Sequence, residues 1–223
     1  EGATVLDVNV GAASVDEVEL LPMAVRAVME VTEVPICVDS ANPDALRAAL
    51  RVVEGKALIN SVNGEEKSLA RVLPLVKEFG TAVIGLCMDD DGIPATVAGR
   101  VAVARKIVER AATYGIPAED ILIDCLALSV CTDATAGSVT LSAIRAVREE
   151  LGLNMTLGAS NVSFGLPDRE AINEVFLSMA MLNGVNAPIV NPSPARKGIL
   201  ISDLVMGRDE YAMRYVGYVR SKR

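Results

Sequence analysis

Short, nearly continuous apolar runs alternate with longer amphipathic stretches along the whole chain, and this rhythm constrains the fold more than any other feature. The apolar runs are TVLDVNV (4–10), PICVDS (35–40), ALINS (57–61), AVIGLCM (82–88), DILIDC (120–125), MTLGASN (155–161) and APIVN (187–191). They are rich in Val, Ile and Leu, as parallel strands covered on both faces must be. Stretches of helical period fall between them: Val15–Val31, Pro43–Glu54, Glu65–Phe79, Thr96–Tyr114, Ser138–Leu151 and Asp168–Asn183. Asn42-Pro43 and Pro167-Asp168 read as helix starts, and Gly55, Gly80, Gly115 and Gly152 as stops. A strand and a helix recurring every 30 residues or so (roughly 30 being the size of one βαβ unit) give the βα rhythm of a parallel α/β fold. A doubly wound sheet would place a Gly-rich phosphate loop after its first strand, and no GxGxxG follows here. The expectation is an α/β (β/α)8 TIM barrel lacking its first strand and helix. The chain opens on a strand and on Glu1, not Met, so residues 1–223 are expected to form one barrel domain, incomplete on its N-terminal side.

Composition narrows the partners. Of the 223 residues, 51% are apolar, ample for a large core, and Lys+Arg 21 against Asp+Glu 29 leaves a net charge of −8. Nucleic acid, which needs a basic face, is not an expected partner. No apolar run reaches the 18 or so residues of a membrane span, and no signal peptide is visible, so no membrane partner is expected. The cysteines are Cys37, Cys87, Cys125 and Cys131, with no CxxC spacing, and they read as buried free thiols of a reducing, cytoplasmic compartment. The chain has no histidine, so no His-ligated metal, His general base or His-ligated cobalt belongs to it. No metal is expected to be bound by this chain.

In a parallel barrel the reactive groups gather at the C-terminal ends of the strands. Those ends carry Asp7-Val8-Asn9, Asp39-Ser40-Ala41-Asn42, Asn60-Ser61-Val62-Asn63, Met88-Asp89-Asp90, Asp124, Ser160-Asn161 and Asn191. Asp, Asn and Ser also dominate caps and turns, and Asn42, Asn63, Asp89 and Asp90 are read that way. Asp39, Asn60, Asp124 and Asn161 each follow an apolar strand and would converge on one mouth. Buried polar groups there need partners. Few cations lie at these ends, which disfavours a phosphorylated ligand. Carboxylates and amides suit an amino-pyrimidinone edge: one carboxylate can accept a ring N–H and an exocyclic amine together. The lining suits a pterin.

The chain resembles the pterin-binding barrel family, and within it the methyltetrahydrofolate:corrinoid methyltransferases and the folate domain of cobalamin-dependent methionine synthase. The stretches that carry the resemblance are LDVNVG (6–11), CVDSANPDAL (37–46), INSVNGE (59–65), VIGLCMDDDGIP (83–94), ILIDCL (121–126), GASNVSFGLPDR (158–169) and FLSMAMLNG (176–184). The resemblance implies that Asp39, Asn60 and Asp124 hold the pterin ring and that Asn161 hydrogen-bonds N5, the nitrogen bearing the methyl group. It implies methyltetrahydrofolate as substrate, a corrinoid (cobalamin) supplied by a separate corrinoid protein or a cobalamin domain, and a homodimer formed through outer helices.

Methyl transfer from N5 to Co(I) leaves electron density on nitrogen, so a group that stabilises protonated N5 acts mainly in the transition state. Asn161 can accept that hydrogen bond but has no useful acidity. A water or the Asp124 carboxyl would relay the proton, making Asn161 and Asp124 the catalytic candidates. The alternatives are the folate-binding module of a methionine synthase, dihydropteroate synthase, and a non-catalytic pterin-binding subunit. Dihydropteroate synthases carry a Ser-Arg-Lys type motif on the seventh strand, where this chain has Ser160-Asn161-Val162.

Overall fold

A computed structural model describes residues 2–222. The elements follow one another as β1 (Leu6–Asn9), α1 (Glu17–Met29), β2 (Ile36–Asp39), α2 (Pro43–Leu50), β3 (Leu58–Asn63), α3 (Glu66–Phe79), β4 (Ala82–Leu86), α4 (Val97–Thr113), β5 (Ile121–Asp124), α5 (Ala136–Leu151), β6 (Asn154–Gly158), α6 (Arg169–Asn183), β7 (Ala187–Ile189), α7 (Pro192–Val205) and α8 (Met213–Ser221). The strands form one seven-stranded sheet in the order β1 to β7, every neighbouring pair parallel. The sheet curls into a nearly closed TIM-type barrel, with β1 and β7 as its edges.

The strands form where the sequence is apolar at successive positions, because both faces are covered. Ile36, Cys37 and Val38 are all buried, as are Val83 and Ile84. Side chains cap the helices as their sequences dictate. Asp16 accepts from the amides of Val18 and Glu19, Asn42 from Asp44, Thr96 from Gly99 and Asn191 from Ser193. Gly80 and Gly152 close α3 and α5 in the left-handed conformation, which only glycine adopts without strain.

Several expectations need correction. The strand expected over 155–161 stops at Gly158, and Ala159–Ser163 wind into a 3-10 turn. Helix α2 ends at Leu50, so Gly55 belongs to the following loop. Helix α6 does start after Pro167-Asp168, although Asp168 is left-handed there and its side chain accepts no capping hydrogen bond. Helices α7 and α8 were not expected. Pro194 and Gly198 interrupt the apolar period of α7, and α8 buries none of its residues.

Close helix-to-sheet contact fixes the approach of α4. A Cβ on Gly64, just after β3, would lie 2.8 Å from Val103 Cγ1 and 3.0 Å from the Met88 carbonyl oxygen. The Met88 oxygen also accepts the Gly64 amide at 2.7 Å, so the backbone cannot retreat. Gly64→Ala is expected to destabilise the fold by about 1–3 kcal/mol through overpacking. Denaturant unfolding of the variant measures this, and an unchanged midpoint would show that α4 can shift outward.

Candidate functional site

Strand pairing assembles the mouth row by row. Paired residues of neighbouring parallel strands share a face, and each strand returns to that face every second residue. Asn9 pairs with Asp39, and Asp39 with Asn60. Asn60 pairs with Ile84; two residues on, Leu86 pairs with Asp124 and Asp124 with Thr156. Asn9, Asp39 and Asn60 therefore form one row, and Asp124 and Thr156 the next row toward the strand ends. Residues of opposite parity face the helices: a Cβ on Gly85 would meet Ile107 of α4 at 3.1 Å. The polar rows consequently line the inside of the barrel.

The first row is a carboxylate held by an amide. Asn9 Nδ2 donates to Asp39 Oδ2 at 2.9 Å, while Asn9 Oδ1 accepts from the Gly11 amide at 2.7 Å, which fixes the orientation of the side chain. Burial raises the Asp39 carboxyl above the ordinary range; the Asn9 amide opposes this, and the carboxyls of Asp7 and Glu17 reinforce it. Burial likewise raises the Cys37 thiol, with Asp7 against it, so this cysteine is an inert thiol. Asn60 is half-buried beside Asp39, and its side chain makes no hydrogen bond among the described residues. The Asn60–Ser61 peptide is cis, and the pairing with β4 shifts between Asn60 and Val62.

Asp124 closes β5 and is 5% exposed. Its Oδ1 accepts the Leu126 amide at 2.7 Å and its Oδ2 the Gly158 amide at 3.1 Å. Burial pushes the carboxyl up to about 6, against the pull of those amides and of Arg100. Each carboxylate oxygen has a second lone pair, so two acceptor sites remain for a ligand. Thr156, alongside in the same row, is buried with its hydroxyl unpartnered among the described residues.

Asn161 lies in the 3-10 turn after β6, exposed, its side chain making no hydrogen bond among the described residues. A bracket beneath holds the turn: Arg169 donates through Nη2 to the Ser160 carbonyl at 2.8 Å and through Nε to Ser163 Oγ at 3.0 Å. Ser163 Oγ in turn donates to Asn173 Oδ1 at 2.7 Å. The turn is also tied to the loop after β5, because Val130 donates its amide to the Val162 carbonyl at 3.0 Å. A Cβ on Gly158 would stand 3.9 Å from Asn161 Nδ2 and 4.0 Å from Asp124 Oδ2. Gly158 thus leaves open the space between these two side chains. The structure brings Asp39 with Asn60, and Asp124 with Asn161, to the same end of the barrel.

The turn and cap readings of the neighbouring polar residues hold. Asn42 Oδ1 caps α2, Asn63 Oδ1 accepts the Glu65 amide, and Asp89 Oδ1 the Asp91 amide. Cys37, Cys87 and Cys125 are buried free thiols, whereas Cys131, outside any strand, is exposed. Among the described residues no cluster of His, Cys, Asp or Glu is arranged to hold a metal ion, and no helix is long and apolar enough to cross a membrane. Two hollows, of about 370 and 330 Å3, lie away from the mouth, the first lined by α5 residues and Asn183, the second against the start of β7.

Asn9, Thr156, the Arg169 bracket and Arg100 are site elements that no strand-end pattern in the sequence singles out. A signal for Arg100 was present: Val97, Val101, Ala104, Ile107, Val108 and Ala111 repeat at helical spacing, and Arg100 falls on that core-facing stripe.

Residues 1–191 match the family described as pterin binding enzyme. The chain belongs to this family. Among curated members of known activity, the methylcorrinoid:tetrahydrofolate methyltransferase of Eubacterium limosum is 30% identical over 219 residues, covering 96% of this chain and 81% of that protein. The methionine synthase of Mycobacterium leprae is 33% identical over 205 residues, 86% of this chain but 17% of that protein. The chain therefore corresponds to a small part of the methionine synthases it matches. Pterin-family folds also agree in three dimensions. The dihydropteroate synthase of Yersinia pestis superposes with a TM-score of 0.74 at 17% identity, covering 92% of this chain and 84% of that one. The Coxiella burnetii dihydropteroate synthase gives 0.72 at 18%, covering 92% and 80%. At those identities the likeness concerns the fold.

Proposed function

We propose that this protein is a methyltransferase that moves the N5-methyl group of methyltetrahydrofolate to the Co(I) corrinoid of a partner protein or domain. The observation that carries the proposal is the pair of interior rows, Asp39 with Asn60 and Asp124 with Thr156, opening beneath the exposed amide of Asn161. In this reading Asp124 accepts the ring N–H and exocyclic amine of the pterin on its two remaining acceptor sites, while Asn60 and Asp39 bind the other edge. Asn161, across the Gly158 gap, hydrogen-bonds N5. When the methyl group leaves, the electron pair of the N5–methyl bond stays on nitrogen, which takes up a proton. Asn161 Oδ1 accepts a hydrogen bond from that N–H. The proton reaches N5 through water, since Asp124 is engaged as an ionised acceptor on the far edge of the ring. The corrinoid comes from outside, because a chain without histidine offers no imidazole to cobalt.

The Eubacterium limosum relative is named for transfer from a methylcorrinoid to tetrahydrofolate. The same side chains serve both directions of one reversible step, and the direction in use depends on the partner. A second reading, the folate-binding module of a methionine synthase, is favoured by the match to that protein from two mycobacteria. The test is a methyl-transfer assay with free cob(I)alamin and with methylcobalamin, using methyltetrahydrofolate and tetrahydrofolate respectively. Turnover in neither direction by a protein that binds the folate would leave a pterin-binding subunit.

Asp39→Ala and Asn60→Ala are each expected to weaken methyltetrahydrofolate binding by about 1–3 kcal/mol, the cost of a lost buried or charge-assisted hydrogen bond. Calorimetric titration reads this, and parent affinity in a folded variant removes that residue from the site. Pairing of two copies through outer helices is part of the proposal. It is supported by Val175, Met179 and Leu182, exposed along one stripe of α6. Sedimentation at the mass of one chain would remove the dimer.

A further inference from the structure

Arg100 is the largest of the fully buried side chains, 1% exposed on the core face of α4, and it has no carboxylate partner among the described residues. A buried cation held only by neutral groups is costly and is retained where its charge or its fork geometry is used. Its guanidinium donates from Nε to the Pro94 carbonyl at 3.0 Å, and from Nη1 to the carbonyls of Cys125 at 2.8 Å and Leu126 at 3.0 Å and to Thr140 Oγ1 at 2.9 Å. Two of these acceptors belong to the residues immediately after Asp124. Leu126 sits there in the left-handed region, φ 62, which a non-glycine residue occupies only when its surroundings impose it. That conformation turns the Leu126 amide back onto Asp124 Oδ1. Thr140 of α5 completes the clamp, since its hydroxyl also meets the Leu126 carbonyl, at 3.2 Å.

We propose that Arg100 is a positioning residue for Asp124: it clamps the corner that aims the carboxylate into the mouth and sets its positive charge beside it. The assignment rests on the reading of Asp124 as a pterin ligand. Arg100 itself lies on the helix side of the sheet and touches no ligand. The charged and titratable groups that bear on Asp124 are Arg100 from α4 and the adjoining thiol of Cys125, which in turn meets Cys87; among the described residues no other cation does so. Packing would be served as well by a long apolar side chain, so charge and fork are separable from bulk.

The experiment compares the parent with Arg100→Met and Arg100→Lys in the full chain. Carbon-13 carboxyl NMR follows Asp124 without ligand, with Asp124→Asn to assign its signal, and calorimetry measures methyltetrahydrofolate binding. In Arg100→Met the Asp124 midpoint, near 6 in the parent, is expected to rise as the facing charge is lost. Folate affinity is expected to drop on the order of tenfold or more. Arg100→Lys keeps the charge but not the fork, so its midpoint should stay near the parent value while affinity still falls. An unchanged Asp124 midpoint in folded Arg100→Met overturns the electrostatic role. Parent-like affinity in Arg100→Lys overturns the clamp, and decides the matter if the Met variant does not fold. A parent that binds no methyltetrahydrofolate, yet shows the midpoint shift in Arg100→Met, overturns the proposed function and leaves the coupling of Arg100 to Asp124 standing.

Discussion

Asp124→Ala is expected to weaken methyltetrahydrofolate binding by about 3 kcal/mol, on the order of 100-fold, because two charge-assisted hydrogen bonds to the pterin disappear together. The same carboxyl sets a pH dependence whose sign follows from its environment. Burial places its folded value at about 6 in the free protein. Two N–H donors on a bound pterin favour the ionised form, so in the complex the carboxyl titrates lower. Between those two values, binding expels a proton. The dissociation constant should then rise by up to about tenfold for each unit the pH falls, and be flat above about pH 7. Titrations at several pH values, with methyltetrahydrofolate titrated alone as a control for ring protonation, measure the profile. A profile that persists unchanged in Asp124→Asn would assign the proton to another group. Thermal unfolding of each variant separates ligand effects from folding, since Asp124 also receives the amides of Leu126 and Gly158.

Asn161→Ala separates rate from affinity. Its proposed bond strengthens as N5 gains a proton, so its loss should slow methyl transfer on the order of 100-fold. Folate binding should weaken by only about 1 kcal/mol. Single-turnover transfer to free cob(I)alamin from enzyme saturated with methyltetrahydrofolate reads the chemical step directly. Transfer at the parent rate from a weakly binding variant would make Asn161 a binding residue only. If folding, affinity and rate all decline together, the side chain merely shapes the 3-10 turn. The Arg169 bracket offers an internal comparison, because it holds the turn through Ser160 and Ser163 rather than through the Asn161 side chain.

All seven strands were legible in the sequence because each is a short apolar run between turn residues. Six helices were legible from their apolar period and their capping residues. What stayed hidden depended on long-range partners. The end of β6 illustrates this: Ala159, Val162 and Ser163 are buried, so apolar character continues past Gly158 although the backbone has already turned into a 3-10 helix. No local pattern marks that change, because the interactions fixing it come from Arg169 and from Val130 in another loop. The site shows the same division. Asp39, Asn60 and Asp124 could be read from their places at strand ends, since a strand that stops on a polar residue aims it at the mouth. Asn9 could not be ranked above other turn residues until its amide was found on Asp39. Helices α7 and α8 escaped for opposite reasons, one through internal Pro and Gly, the other for want of a buried face.

The row structure of the mouth also limits how this chain can vary in length. Asn9, Asp39 and Asn60 meet because β1, β2 and β3 are in step, and side chains alternate between the two faces. Insertion of one residue between Ile36 and Val38 would send Asp39 to the helix side and bring an apolar neighbour to the mouth in its place. Two residues would restore the face but move the carboxylate one row along, level with Asp124 and out of reach of the Asn9 amide. The loops that follow the strands carry no such parity. Length changes accumulated over time should therefore fall in segments such as Gly11–Val15 or Asp90–Pro94, while the four residues of β2 keep their number even where their apolar identities drift.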